Sequence, residues 1–174
     1  IPCPKYFKFL EPLTLRLGGT FRSHATQKER SVFSAPGDSV KIAPVICYES
    51  VYGRDVADFI RGGAGAIFII TNDGWWKNTN GYKQHLSYAS IRAIETRRPV
   101  VRSANTGISC FIDIRGKILQ ETEWWVPAVI KGTFNYEDRI TPYVRYGDYL
   151  MFMACFISLL TLMVLFVFRP YGKK

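Results

Sequence analysis

The run from Leu150 to Phe168 constrains this chain more than any other feature, because it carries no charge over nineteen residues. As an α-helix it would extend about 28 Å, close to the ~30 Å hydrocarbon core of a bilayer. A helix buried in a globular core usually keeps one polar face. Here Ser158 and Thr161 are the only hydroxyls in a run dominated by Leu, Met, Phe, Val and Ile, so the pattern favours a membrane span. The chain then divides into a body, residues 1–147, and a span with a short basic tail, residues 148–174. Arg169, Lys173 and Lys174 follow the span, whereas Arg145 and Asp148 nearly balance before it. The positive-inside rule puts the C-terminus in the cytoplasm and the body across the membrane from it.

The body mixes charges and aromatics as a folded domain does, and 174 residues at 48% hydrophobic suffice for one core. The net charge of +9 is spread along the chain instead of forming one basic run with interleaved aromatics. Nucleic acid is therefore not an expected partner, and an anionic membrane surface is a better one, with a solvated basic face that has no specific partner as an equal alternative. Cys3, Cys47, Cys110 and Cys155 form no CxxC pair, and neither His24 nor His85 lies at ligand spacing from them. Neither a metal site nor a disulfide framework is expected. The opening Ile1-Pro2-Cys3-Pro4 has no initiator Met and no signal peptide, as expected of a fragment.

Pro and Gly punctuate the chain to about Thr26 and predict loop with short turns. Val40–Ile46 is a β-branched strand in which Pro44 asks for an irregular or edge position. A helix is expected over Arg54–Arg61, ended by Gly62-Gly63, and Ala66–Ile70 should be a strand buried on both faces. Leu86, Ala89, Ala93 and Ile94 recur at helical spacing, giving an amphipathic helix over Tyr82–Thr96 stopped by Pro99. Val100–Ala104, Cys110–Ile114 and Lys117–Gln120 are strands, the last two joined as a hairpin through Arg115-Gly116, and Val126–Phe134 offers a final strand. This order predicts a sheet that is partly parallel, covered by helices, with an antiparallel margin.

Cys47-Tyr48-Glu49 falls where a strand ends and a helix is about to begin. Ligands bind at the carboxyl ends of strands in open α/β sheets, and a thiol at a helix start is a candidate nucleophile; a buried structural cysteine is the plainer alternative. The next strand ends in Thr71-Asn72-Asp73-Gly74-Trp75-Trp76, at the same edge. Asn and Asp can orient a ligand or a loop, and the Trp pair with Tyr82 suits a lipid interface, unless the segment is only a turn with its rings in the core.

Four segments in order resemble the apolipoprotein N-acyltransferases, a membrane branch of the carbon-nitrogen hydrolase (nitrilase) superfamily. They are Ile46-Cys47-Tyr48-Glu49, Thr71 to Trp76, Arg92-Ala93-Ile94-Glu95 with Arg98-Pro99, and Arg102 to Ser109. The similarity covers about residues 41–168, with a looser match over residues 1–17. It implies an α/β fold, part of a nitrilase-like αββα sandwich followed by one C-terminal transmembrane helix. It also implies a Glu-Lys-Cys triad in which Cys47 is the nucleophile. The triad's Glu and Lys find no counterpart in Glu11, Glu29, Lys5, Lys8 or Lys28, so the chain is expected to begin after the Lys motif and to be inactive alone.

By the same resemblance Glu49 supports the site, and a carboxylate beside a cysteine needs a cation, for which the triad Lys is the natural choice. Tyr48, Asn72, Trp75 and Trp76 are expected to contact substrate. Glu95 and Asn105 are expected to orient the structure, Glu95 through one of Arg92, Arg98 or Arg102. The implied reaction passes an acyl chain from a phospholipid through a Cys47 thioester to the N-terminal amine of a diacylglyceryl-cysteine apolipoprotein, with no cofactor. The implied place is a bacterial inner membrane, with the body on the periplasmic side. An amidase-type C–N hydrolase and a non-catalytic tethered module are the alternatives.

Overall fold

The computed structural model describes residues 29–37 and 39–167. The expectations placed on Cys3, Lys5, Lys8, Glu11, His24, Lys28, Phe168, Arg169, Lys173 and Lys174 lie outside the described residues. The order is β1 (Phe33–Ser34), β2 (Lys41–Ile46), a 3₁₀ turn (Cys47–Val51), α1 (Gly53–Arg61), β3 (Ala66–Asn72), a second 3₁₀ turn (Asp73–Trp76) and α2 (Gly81–Thr96). Then come β4 (Val100–Asn105), β5 (Cys110–Ile112), β6 (Ile118–Glu121), α3 (Pro142–Tyr146) and α4 (Tyr149–Val167).

The six strands form one sheet in sequence order. β2, β3 and β4 are parallel, joined by the βαβ crossovers through α1 and α2, whereas β1 and the β4–β5–β6 meander are antiparallel. A partly parallel centre with an antiparallel margin was expected. Pro44 is accommodated because β1 pairs only with Lys41 and Ile42, so that among the described residues β2 is an edge on that side from Ala43 onward.

The core lies between the sheet and the two crossover helices. Val45, Ile67, Ile69, Val100 and Ile112 from the strands meet Val56, Ile60, Ala89 and Ala93 from the helices, all essentially without solvent exposure. Each such Val or Ile contributes about 1.5–3 kcal/mol on removal from water. α2 ends where Arg97 adopts a left-handed conformation, φ 52° and ψ 43°, and Pro99 bars its continuation. Ile94, expected on the buried stripe, is 45% exposed.

Two strand expectations need correction. β3 is buried throughout on its helix-facing side but only in part on the other, where Ala66 is enclosed and Phe68 half-buried while Ile70 is 61% exposed. Residues 126–134 form no strand. Trp125 takes φ 64° and Pro127 lacks a donor, so the segment crosses the second face of the sheet by side chains, Phe134 meeting Phe68 edge-on at 6.0 Å. Tyr136 then bonds the Gly63 carbonyl at 3.1 Å, and Arg98 the Arg139 carbonyl at 2.7 Å, before Thr141 caps α3. The hairpin forms as expected: Asp113 Oδ1 accepts from the N–H groups of Arg115 and Lys117 at 2.8 and 2.9 Å, and Gly116 supplies φ 82°.

α4 has 19 residues, mean hydropathy 2.7 over its most apolar window and no buried residue. A core helix would be buried. By length and composition α4 can cross a membrane.

Candidate active site

Cys47 is the first residue after β2 and the first of the 3₁₀ turn, with φ 50°. A left-handed non-glycine residue costs about 1–3 kcal/mol, so its surroundings must hold it. Two groups reach its carbonyl oxygen: Ser50 Oγ donates to it at 2.9 Å, and His85 Nε2 lies 3.2 Å from it. Glu49, third in the turn, reaches back to its start, its Oε2 accepting from the Ile46 N–H at 2.9 Å. The cation this carboxylate asks for is Arg30, at 3.4 Å, which also bonds Asp55 at 2.7 Å.

At the carboxyl edge the loops after β3 and β4 come together. Asn72 Oδ1 accepts from the Gly74 N–H and from Thr106 Oγ1, both at 3.1 Å, tying the end of β3 to the end of β4, where Asn72 stands opposite Asn105. Beside this tie a cleft of about 330 Å³ opens between Thr106, Gly107, Ser109 and the Trp125–Ala128 segment. Trp75 is 77% exposed, and Tyr48, whose ring stands 6.0 Å from that of Tyr52, is 52% exposed. Trp76 instead turns inward, 5.0 Å from the His85 ring, and covers Gly81, where a Cβ would come within 2.1 Å of it.

Beneath Cys47 lies a buried polar cluster. Asp73, with no exposure, faces His85 Nδ1 at 3.0 Å and accepts from Arg102 Nη2 at 2.7 Å and Thr71 Oγ1 at 3.2 Å. Burial alone would raise the Asp73 carboxyl, but its hydrogen bonds with His85 and Arg102 outweigh it and hold the group below its ordinary value. Gly107 must be glycine for this packing, since a Cβ there would stand 2.4 Å from Asp73 Oδ2. Arg102 also bonds the Ile108 carbonyl, fixing the loop that follows β4.

Sequence spacing did not disclose His85, 38 residues from Cys47. The available signal was its stripe: His85, Ala89, Arg92 and Thr96 recur at helical spacing and are all buried, so polar side chains share the core face of α2. Of the three arginines considered for Glu95, Arg92 is the partner, at 3.1 Å. Arg98 instead bonds four backbone carbonyls, and Arg102 belongs to Asp73. Cys110 is buried, which pushes its thiol up to about 11, and Cys155 lies on α4. Among the described residues no group of three or more His, Cys, Asp or Glu side chains could hold a metal ion.

The profile of the carbon-nitrogen hydrolase family matches residues 9–140. The apolipoprotein N-acyltransferase of Chlorobaculum tepidum is 38% identical over 151 residues, 85% of this chain and 28% of that protein. The Photobacterium profundum enzyme of the same name is 31% identical over 132 residues, 76% of this chain and 25% of that protein. The chain thus spans about a quarter of the length of these curated relatives. Among solved structures, a nitrilase-superfamily amidase from Nesterenkonia superposes with a TM-score of 0.48 at 17% identity, covering 59% of this chain and 40% of that one.

Proposed function

Because the chain belongs to the carbon-nitrogen hydrolase family, we propose that it supplies the nucleophile of a membrane N-acyltransferase acting on phospholipid and apolipoprotein. The observation that carries this reading is Cys47 itself, set at φ 50° on the turn after β2 at the carboxyl edge of a parallel sheet. A strained backbone at such a place marks a side chain held out for chemistry.

In this reading the Cys47 thiolate attacks the acyl carbonyl of a phospholipid. The acyl C–O bond breaks, the lysophospholipid oxygen leaves and takes a proton, and a thioester remains. The N-terminal amine of a diacylglyceryl-cysteine apolipoprotein then attacks the thioester carbonyl, forming the amide, giving up a proton and returning the thiol. A thioester suits the relay because it is reactive toward amines and persists where water is excluded. Glu49 steadies the turn through the Ile46 N–H. Tyr48 and Trp75 offer the acyl chain exposed rings, and the cleft beside Asn72 and Asn105 sets Trp125 and Val126 among the polar groups of Thr106, Ser109 and Thr122. The span α4 and the basic residues after it anchor the body at the outer face of an inner membrane, with the C-terminus cytoplasmic.

The test uses the full-length protein with phospholipid alone. An acyl mass should appear on the Cys47 peptide and be removed by hydroxylamine. Cys47→Ser keeps the volume but substitutes a far weaker acid for a thiol, so transfer should fall by about three orders of magnitude or more. An adduct on another residue, or near-normal transfer by Cys47→Ser, would overturn the assignment.

A further inference from the structure

Ser50, His85 and Asp73 line up under Cys47, with Ser50 Oγ 3.1 Å from His85 Nε2 and His85 Nδ1 3.0 Å from Asp73 Oδ1. These are the spacings of a serine nucleophile, its base and an orienting carboxylate. Ser50 is no such nucleophile. It is 1% exposed, and its hydroxyl is turned to the Cys47 carbonyl at 2.9 Å. Both Ser50 and His85 converge on that one carbonyl oxygen, which sits in the peptide that follows Cys47.

We infer that His85 is a positioning residue for Cys47: with Ser50 it grips the Cys47 carbonyl and so holds the nucleophile in its left-handed conformation. A carbonyl oxygen only accepts, so Nε2 carries the hydrogen of this contact. The imidazole is itself fixed from every side. Asp73, itself held by Arg102 at 2.7 Å, faces Nδ1, and the rings of Tyr48 and Trp76 bracket the imidazole at 6.1 and 5.0 Å. A residue at φ 50° returns to ordinary backbone conformations once released, and with it the direction of the Sγ–Cβ bond changes. Buried polar groups joined by hydrogen bonds in one network are suited to prevent that release. His85 thereby links the turn after β2 to the turn after β3, the two loops that frame the site.

This inference rests on Cys47 being the nucleophile, and the experiment separates the two. In full-length protein, His85→Leu, His85→Gln and Ser50→Ala are compared by two rates and a melting curve. Alkylation of Cys47 by iodoacetamide needs no acyl substrate and reports the thiol's presentation; single-turnover thioester formation at saturating phospholipid reports its use. His85→Leu should slow both by about tenfold or more while KM for phospholipid stays within about twofold, the mark of lost positioning and not of lost binding. Gln, which can still donate to the carbonyl, should recover most of both rates. Ser50→Ala, nearly the same size, should slow both by about threefold, and it decides the matter if His85→Leu does not fold. Wild-type rates in His85→Leu, or in Ser50→Ala where it must decide, would overturn the assignment, as would a folded His85→Gln no better than Leu. Slowed alkylation with no thioester even in the wild type would sink acyl transfer and leave the positioning role standing.

Discussion

Asp73 and Glu95 are two carboxylates beside buried arginines, yet their environments act on them in opposite directions. Asp73 sits at the carboxyl end of the sheet, fully enclosed, with His85, Arg102 and Thr71 all bonded to it, and its pKa is lowered. Glu95 sits at the far end of α2, where it meets α3 and the approach to α4. Burial raises its pKa, Arg92 opposes this only in part, and the nearby Asp148 adds to the rise. The difference is one of donors. Enclosure disfavours a charge in both places, and only several hydrogen bonds aimed at one carboxylate reverse that. One region is thus wired for a fixed charge under the turn that carries Cys47, and the other is a joint where a charge is poorly supported.

The largest effect should come from breaking the well-supported site. Asp73→Asn leaves the Arg102 guanidinium, with no exposed side chain, facing an amide instead of a carboxylate. Removing one partner of a buried pair costs about 3–5 kcal/mol, and denaturant unfolding of the full-length protein at pH 7 should show a loss of this order. The sign with pH follows from the lowered pKa. The stabilisation is present above the ordinary value of 3.8 and is lost as pH falls through the lower folded value, so wild type and variant should converge only in strong acid. Equal stability at pH 7 would mean that Asp73 gains nothing from its partners.

A middle effect tests how rigid the second region is. Gly53 opens α1 against the Arg92 guanidinium, and a Cβ there would lie 1.8 Å from Arg92 Nη1 and 2.3 Å from the Tyr143 hydroxyl. Overpacking of this kind costs about 1–3 kcal/mol, measurable as a lower melting temperature for Gly53→Ala. A neutral result would show that Arg92 swings aside freely and that the joint is soft.

The same contrast explains what was legible in the sequence. Strands β2, β3 and β4 and helix α2 announce themselves because β-branched runs and a helical stripe report burial locally. The placement of Cys47 and Asn72 at strand ends was legible because a strand end followed by a turn is a local pattern. Residues 126–134 misled because their apolar side chains serve to cover a sheet face, Phe134 against Phe68, and not to extend a ladder. His85 and the pairing of Arg102 with Asp73 were invisible for a different reason. They depend on β3 and β4 lying side by side with α2 across them, and spacings of 12 and 29 residues carry no local signature. Choosing Arg92 among three arginines for Glu95 needed the same information, since Arg98 and Arg102 were already committed elsewhere.

The smallest effect, and the finest test of the contrast, is Glu95→Gln. Gln can still accept from Arg92, whose Nη2 donates to Oε1 at 3.4 Å, but cannot ionise. Because the folded pKa of Glu95 is raised above the ordinary 4.5, its contribution is fully present below that pH and is lost as pH rises through the folded value. Glu95→Gln escapes this loss. Melting temperatures of wild type and variant should therefore be close at pH 4 and drift apart toward pH 7 in favour of the variant, by the equivalent of about 1 kcal/mol or less for a partly exposed ion pair. If Glu95→Gln were instead the less stable at pH 7 and equal at pH 4, the Arg92 charge would outweigh burial at this joint as Arg102 and His85 do at Asp73, and the two carboxylates would differ in degree and not in kind.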